Sequence, residues 1–199
     1  MTKGEVFYDS KKYYNVLMCL CVGIMLSACA KSTGHYGVEA KTVYFESLEE
    51  MEEYCTVIVR ATRLEGEETV IAKQDGHITS GYSYSTVKLT EVYKDTSGQL
   101  QVGDEIRLLE NEVYDEEENI VYHIAGYNMM VPEEEYLLFL TKNTVNEFDY
   151  YVSAGVNYGT ISLGEDGRMT QRKDTRGNTV SEFSAYTEIW EAAKEKYIG

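Results

Sequence analysis

Hydrophobic and polar positions divide the chain into three regimes. Residues 15–28, NVLMCLCVGIMLSA, are almost wholly apolar and follow Lys11 and Lys12. The core of that run, residues 16–26, is 11 residues long. A helix needs about 20 to cross a bilayer, so the run predicts a secretory signal rather than a span. Residues 30–42, AKSTGHYGVEAKT, are small, polar and glycine-containing, and predict a tether. From Ser47 the period becomes helical. Leu48, Met51 and Tyr54 fall on one side, and Ser47 with Glu50 forms a candidate capping box.

Alternation by two then takes over. Val57, Val59 and Ala61 share a face in residues 56–64. In YSYSTVKLTEVYK, Val87 and Leu89 share a face before the phase moves to Val92. One extra residue near Thr90 and Glu91 produces that shift, which predicts a β-bulge. Ile106 and Leu108 point inward in residues 105–110, and residues 119–125 read as another strand. YLLFL, residues 136–140, is apolar on both faces and predicts a strand covered on both sides. DYYVSAG and YGTISLG follow, the latter leading into RMTQRK as an expected hairpin. From Ser184 the period returns to that of a helix, with Ile189 and Ala193 on its inner side and Trp190 as the docking knob.

Six to eight strands without alternating helices exclude a doubly wound parallel sheet. The expected fold is mainly β: a small antiparallel OB-like barrel of five or more strands, with a short N-terminal helix and a C-terminal helix. The expected organisation is a signal at 1–28, a tether at 29–42 and one domain at 43–199.

The LSAC stretch ending at Cys29 resembles the bacterial lipobox, with a small residue before the cysteine and leucine three before it. That resemblance implies diacylglycerol on the Cys29 sulfur, cleavage ahead of it, and a lipid-anchored protein on the extracytoplasmic face of a bacterial cell membrane. Composition adds to this picture. The chain has 34 acidic residues against 18 Lys plus Arg. Loss of residues 1–28 removes Lys3, Lys11, Lys12, Glu5 and Asp9, leaving 32 acids, 15 bases and a net charge of −17. Nucleic acid needs a basic footprint and is excluded as a partner. An anionic bilayer repels such a domain, so the lipid is the expected link to the membrane. Of four cysteines, Cys19 and Cys21 leave with the signal and Cys29 takes the lipid. Cys55 then has no disulfide partner within the chain and is expected as a buried thiol.

The order of VIVRATRLEG, STVKLTEVYK, VGDEIRLLE, VPEEEYLLFL and YVSAGVNYGTISL is similar to uncharacterised lipoproteins and exported proteins of Gram-positive bacteria. The resemblance covers residues 48–163. It implies an OB-type barrel loosely akin to the netrin-like domain of tissue inhibitors of metalloproteinases. Those inhibitors use a free N-terminal cysteine clamped by disulfides; an acylated Cys29 without disulfides departs from that pattern, and fold kinship alone does not confer inhibition.

Candidate chemistry is sparse. Gly155 and Gly159 do not precede a helix as a phosphate loop requires. His35 lies in the tether, His77 in the loop DGHITSG and His123 in a strand, without metal-ligand spacing. Ser153 lacks the surroundings of a nucleophile elbow. The acidic runs at 115–118 and 133–135 lack the alternation of a calcium loop and read as solvated turns or weak cation sites. No catalytic residue, metal or cofactor is assigned. The 18 tyrosines are more informative. Tyrosine suits a half-buried sheet, and also a contact surface where its ring buries area and its hydroxyl finds a partner. Tyr82, Tyr84 and Tyr127, at strand ends beside glycines, are the candidate ligand contacts. The function expected is a non-catalytic binding or accessory module for a protein or glycan. The alternatives are a cell-envelope hydrolase whose residues converge only in three dimensions, and an extracellular protease inhibitor.

Overall fold

The alternation at Val57, Val59 and Ala61 and its counterpart at Val87 and Leu89 meet inside a ring of strands. The structure, a computed structural model, describes residues 32–143, 149–164 and 184–199. Strand β1 is Gly34–Val38, helix α1 is Leu48–Tyr54, β2 is Val57–Gln74 and β3 is His77–Asp95. They are followed by β4 (Glu105–Glu110), β5 (Glu112–Asp115), β6 (Ile120–Ile124), β7 (Glu135–Lys142), β8 (Tyr151–Ser153) and β9 (Thr160–Ser162). Helix α2 is Ser184–Tyr197.

The architecture is mainly β. Strands pair in the order β2-β3-β4-β8-β7, and β7 pairs back onto β2, closing a five-stranded ring. Four of these pairings are antiparallel, as expected of the barrel, and β4 and β8 run parallel. The cause is topological: β8 turns back antiparallel from β7, and that direction matches β4. One parallel closure in this order is the OB arrangement. The ring is uneven, because β8 meets β4 through two residue pairs only.

Two apolar layers flank the ring wall. Inside lie Val57, Val59, Ala61, Val87, Leu89, Leu108, Leu138 and Leu140. Outside, Ile58, Leu137, Phe139 and Ile161 are covered by α1 and α2 through Leu48, Met51, Ile189, Trp190 and Ala193. This is why residues 136–140 are apolar on both faces. Ser47 caps α1, accepting from the Glu50 amide at 3.3 Å, while Glu50 reaches back to the Glu46 amide at 2.8 Å. The Trp190 indole donates to the Tyr158 carbonyl at 3.0 Å, so Trp190 is the docking knob of α2. The bulge falls where the phase shift places it: Arg60 pairs with Glu91 and Ala61 with Leu89, leaving Thr90 as the extra residue.

Three elements differ from expectation. Residues 34–38, expected within the tether, form β1, parallel to β6. Its GHYGV sequence buries only Gly37, so no apolar alternation announces it. The supposed loop DGHITSG is the tip of a long β2–β3 ribbon. Asp75 and Gly76 hold φ of 52° and 78°, and Gln74 pairs with His77, as in a two-residue type I′ turn. Strand β5 joins β6 and β1 in a separate three-stranded sheet. The segment RMTQRK and its expected hairpin lie outside the described residues.

Candidate functional site: an aromatic face and a buried polar end

The outer face of β3 and β4 gathers the strand-end tyrosines. Tyr82 and Tyr84 project outward from β3, and their rings meet edge-on at 5.2 Å. Tyr150 closes the cluster, 5.3 Å from Tyr84. The Arg107 guanidinium, two pairs along on β4, lies 3.7 Å from the centre of the Tyr84 ring and is hydrogen-bonded to Glu68 on β2. Burial, a hydrogen bond to Tyr82 and the neighbouring tyrosine charges push the Tyr84 hydroxyl up to about 12, so it stays protonated at neutral pH.

Two clefts open on the domain, one on the opposite face of the β2–β3 ribbon from Tyr82 and Tyr84 and one beside Arg107. One, about 630 Å³, lies between the β2–β3 ribbon and the β5–β6 turn, lined by Glu67, Ile71, Lys73, Tyr114, Asp115 and Glu116. Lys73 spans it, 2.8 Å from Asp115 and 2.6 Å from Glu117. Lys73, the largest cause, and the Glu117 and Glu118 amides hold the Asp115 carboxyl below its usual range. A second cleft of about 420 Å³ is lined by Leu100, Arg107, Lys142 and Tyr151. Asp104, Glu105 and Asp149 line it too, and Lys142 pairs with Asp149 at 2.9 Å.

Tyr127 is not part of any surface. It is 1% exposed, and its hydroxyl donates to Glu110 Oε2 at 2.6 Å. The expectation of Tyr127 as a ligand contact is therefore corrected. Gly126, at φ 71°, turns the chain back over the end of the ring and carries Tyr127 inward. Tyr82 is half-buried at the outer face, and Tyr84 is 8% exposed, its ring covered by Tyr82, Tyr150 and the Arg107 guanidinium.

That end of the ring is polar where the rest is apolar. Glu110 is fully buried and accepts from Ser85 Oγ, Tyr127 and the Met130 amide. Burial raises its pKa, opposed by these three donors and by the Arg63 charge. Arg63 is itself 1% exposed and donates to Glu67 at 2.9 Å. On the adjoining sheet, His123 is buried with its Nδ1 2.9 Å from Glu112 Oε2 and from the Tyr127 carbonyl. His35 Nδ1 lies 2.9 Å from its Nε2. No local pattern announces this group, because Glu110, Glu112 and His123 come from separate strands and Arg63 and Ser85 read as ordinary alternating positions. Cys55 is buried as expected, and burial pushes its thiol up to about 12.

No protein-family model matches the chain, and no curated protein matches it. Among the described residues, no group of three or more His, Cys, Asp or Glu is arranged to hold a metal ion, and no helix is long and apolar enough to cross a membrane.

Proposed function

We propose that the chain is a non-catalytic binding or accessory module, anchored through diacylglycerol on Cys29 to the outer face of a bacterial cell membrane. It belongs on this reading with the uncharacterised Gram-positive lipoproteins that its strand phrases resemble. Its ligand is a protein or a glycan, met across the outer face of β3 and β4. The observation that supports this most is the Tyr82–Tyr84–Tyr150 cluster under Arg107, which also lines an open cleft. Aromatic rings backed by an arginine supply contact area at low entropic cost. In OB barrels the face of the second and third ring strands, here β3 and β4, is the usual binding surface, an argument from fold analogy.

The hydrolase alternative would draw on Glu112 and His123. The nitrogen that would take a proton from a nucleophile, His123 Nε2, faces His35 instead. The geometry therefore favours binding.

The test is capture from envelope extracts and from an array of envelope glycans, using a lipid-free form beginning at Ser32. A specific partner retained by the wild type and lost by Arg107→Ala combined with Tyr82→Ser supports the reading. Turnover of an envelope substrate, with no partner retained, overturns it. Anchoring is tested separately: Cys29→Ser should abolish metabolic lipid labelling, and persistence of the label overturns that part.

A further inference from the structure

The segment that carries Tyr127, Met129 and Met130 closes the polar end of the ring. Its Tyr127 hydroxyl and Met130 amide both reach Glu110 Oε2, and the Met129 amide donates to Glu112 Oε2 at 3.1 Å. Against it lies Arg63, 1% exposed. A guanidinium carries five N–H donors, and buried donors are normally met by acceptors. Arg63 departs from that rule. Nη2 donates to Glu67 Oε2 at 2.9 Å and to the Met129 sulfur at 3.5 Å. Nε and Nη1 are buried with no acceptor. A thioether is a weak acceptor, so a charged, donor-rich group is poorly served on the side of Met129.

Met129 also differs from the methionines near it in the fold. Met51 and Met130 are 0% and 2% exposed, whereas Met129 is half-buried. Its sulfur has two lone pairs. Arg63 engages one, and the other is left for an incoming oxidant. Oxidation of methionine ordinarily disrupts packing, because it sets a polar oxygen among apolar groups. Here the group beside the sulfur is a guanidinium short of acceptors.

We propose that Met129 is a site of reversible oxidation by hydroperoxides, and that Arg63 receives the sulfoxide oxygen and so fastens the 127–130 segment over the end of the ring. With hydrogen peroxide the step balances. A sulfur lone pair attacks one peroxide oxygen, and the S–O bond forms as the O–O bond breaks. The sulfur gives up two electrons, and the hydroxide that leaves takes the proton of the transferred hydroxyl to become water. Methionine turns freely about the bonds flanking its sulfur, which presents the new oxygen to the guanidinium. A weak N–H···S contact becomes a charge-assisted N–H···O bond, roughly twice as strong as a neutral one. Glu67, half exposed, keeps its own bond to Nη2, so the oxygen adds to that ion pair rather than replacing it. Reduction of the sulfoxide restores the thioether. The site depends neither on the lipid nor on the Tyr82–Tyr84 face.

The test treats the purified full chain in detergent with hydrogen peroxide in native buffer. Tandem mass spectrometry should find sulfoxide at Met129 at least ~10-fold sooner than at Met51 or Met130, which are reached only when the domain opens. The urea midpoint of the wild type should rise on treatment. Met129→Leu, treated alike, accounts for the other methionines of the chain and should show no rise. Met129→Gln supplies a permanent amide oxygen beside Arg63 and should unfold at higher urea than Met129→Leu. Arg63→Leu should abolish that difference. If Arg63→Leu does not fold, the Arg63 side-chain N–H resonances of the wild type carry the test: they should shift on oxidation and exchange more slowly with water. A wild-type midpoint that stays or falls as Met129 is oxidised overturns the proposal. So does equal oxidation of Met129 and Met130, a Met129→Gln variant no more stable than Met129→Leu, or Arg63 resonances that do not move. None of these readouts involves Cys29 or a captured partner, so failure of the binding or lipid reading is separately visible.

Discussion

Tyr127 and Glu110 share a 2.6 Å hydrogen bond inside the closed end of the ring, where neither side chain reaches water. Burial raises the pKa of Glu110, and burial together with the Glu110 charge raises that of Tyr127 well above its ordinary value. The sign for stability follows from linkage. A carboxyl whose folded pKa lies above its unfolded one contributes stability below the unfolded value and loses it as pH rises through the folded value. Glu110→Gln keeps an acceptor for Tyr127 and Met130 and an amide to meet Ser85, but does not titrate. The difference in urea midpoint between Glu110→Gln and wild type should therefore shift in favour of the variant from pH ~5 to pH ~8. Tyr127→Phe removes a donor and should cost about 1–3 kcal/mol in the same assay.

Cys55 gives a second outcome. Its thiol is 1% exposed and pushed up to about 12 by burial, so little thiolate is present at neutral pH. A water-soluble disulfide reagent should react with Cys55 only when the domain opens. Labelling in native buffer should be at least ~100-fold slower than in denaturant, as global stability of a few kcal/mol implies. Fast native labelling would mean that α1 does not close over Cys55.

How much of this was legible in the sequence depends on which contacts each residue uses. Val57, Val59 and Ala61, the Thr90 bulge and the doubly apolar residues 136–140 speak through local period, and the structure places them as that period requires. Strand β1 does not, because its partners are backbone groups of β6 and its side chains stay outside. Asp75-Gly76 is a hairpin signal hidden by the polar ribbon on both sides of it. As strand-end tyrosines, Tyr82 and Tyr84, the second of them buried, look no different in sequence from Tyr127. Only the turn at Gly126 decides which way it faces. The Glu110 and His123 groups depend on strand register, which no single segment encodes.

Trp190 fills the outer layer between α2 and the ring and donates to the Tyr158 carbonyl. Trp190→Phe should lose both the indole's second ring and that bond, leaving a buried carbonyl unpaired. The expected cost is about 2–4 kcal/mol in chemical denaturation. A much smaller loss would show that α2 adds little to the stability of the ring.

Gly159 supplies the sharpest steric test. The loop between β8 and β9 leaves the edge of β7 at a single residue: the Phe139 amide donates to the Gly159 carbonyl, and the Ala154 amide donates to the Phe139 carbonyl, each at 2.9 Å. A Cβ on Gly159 would sit 2.4 Å from the Phe139 carbonyl oxygen and 2.6 Å from the Ala154 nitrogen. Both are backbone atoms of the junction itself, so relief requires moving the loop off β7 rather than turning a side chain. Gly159→Ala should cost about 1–3 kcal/mol, with a matching fall in melting temperature. Gly98→Ala is the control. Gly98 has open space around its Cβ position but a φ of 66°, so its cost is conformational strain without a clash. If Gly159→Ala melts at or above Gly98→Ala, the close approach of β7 to the 154–159 loop is not what shapes this end of the ring.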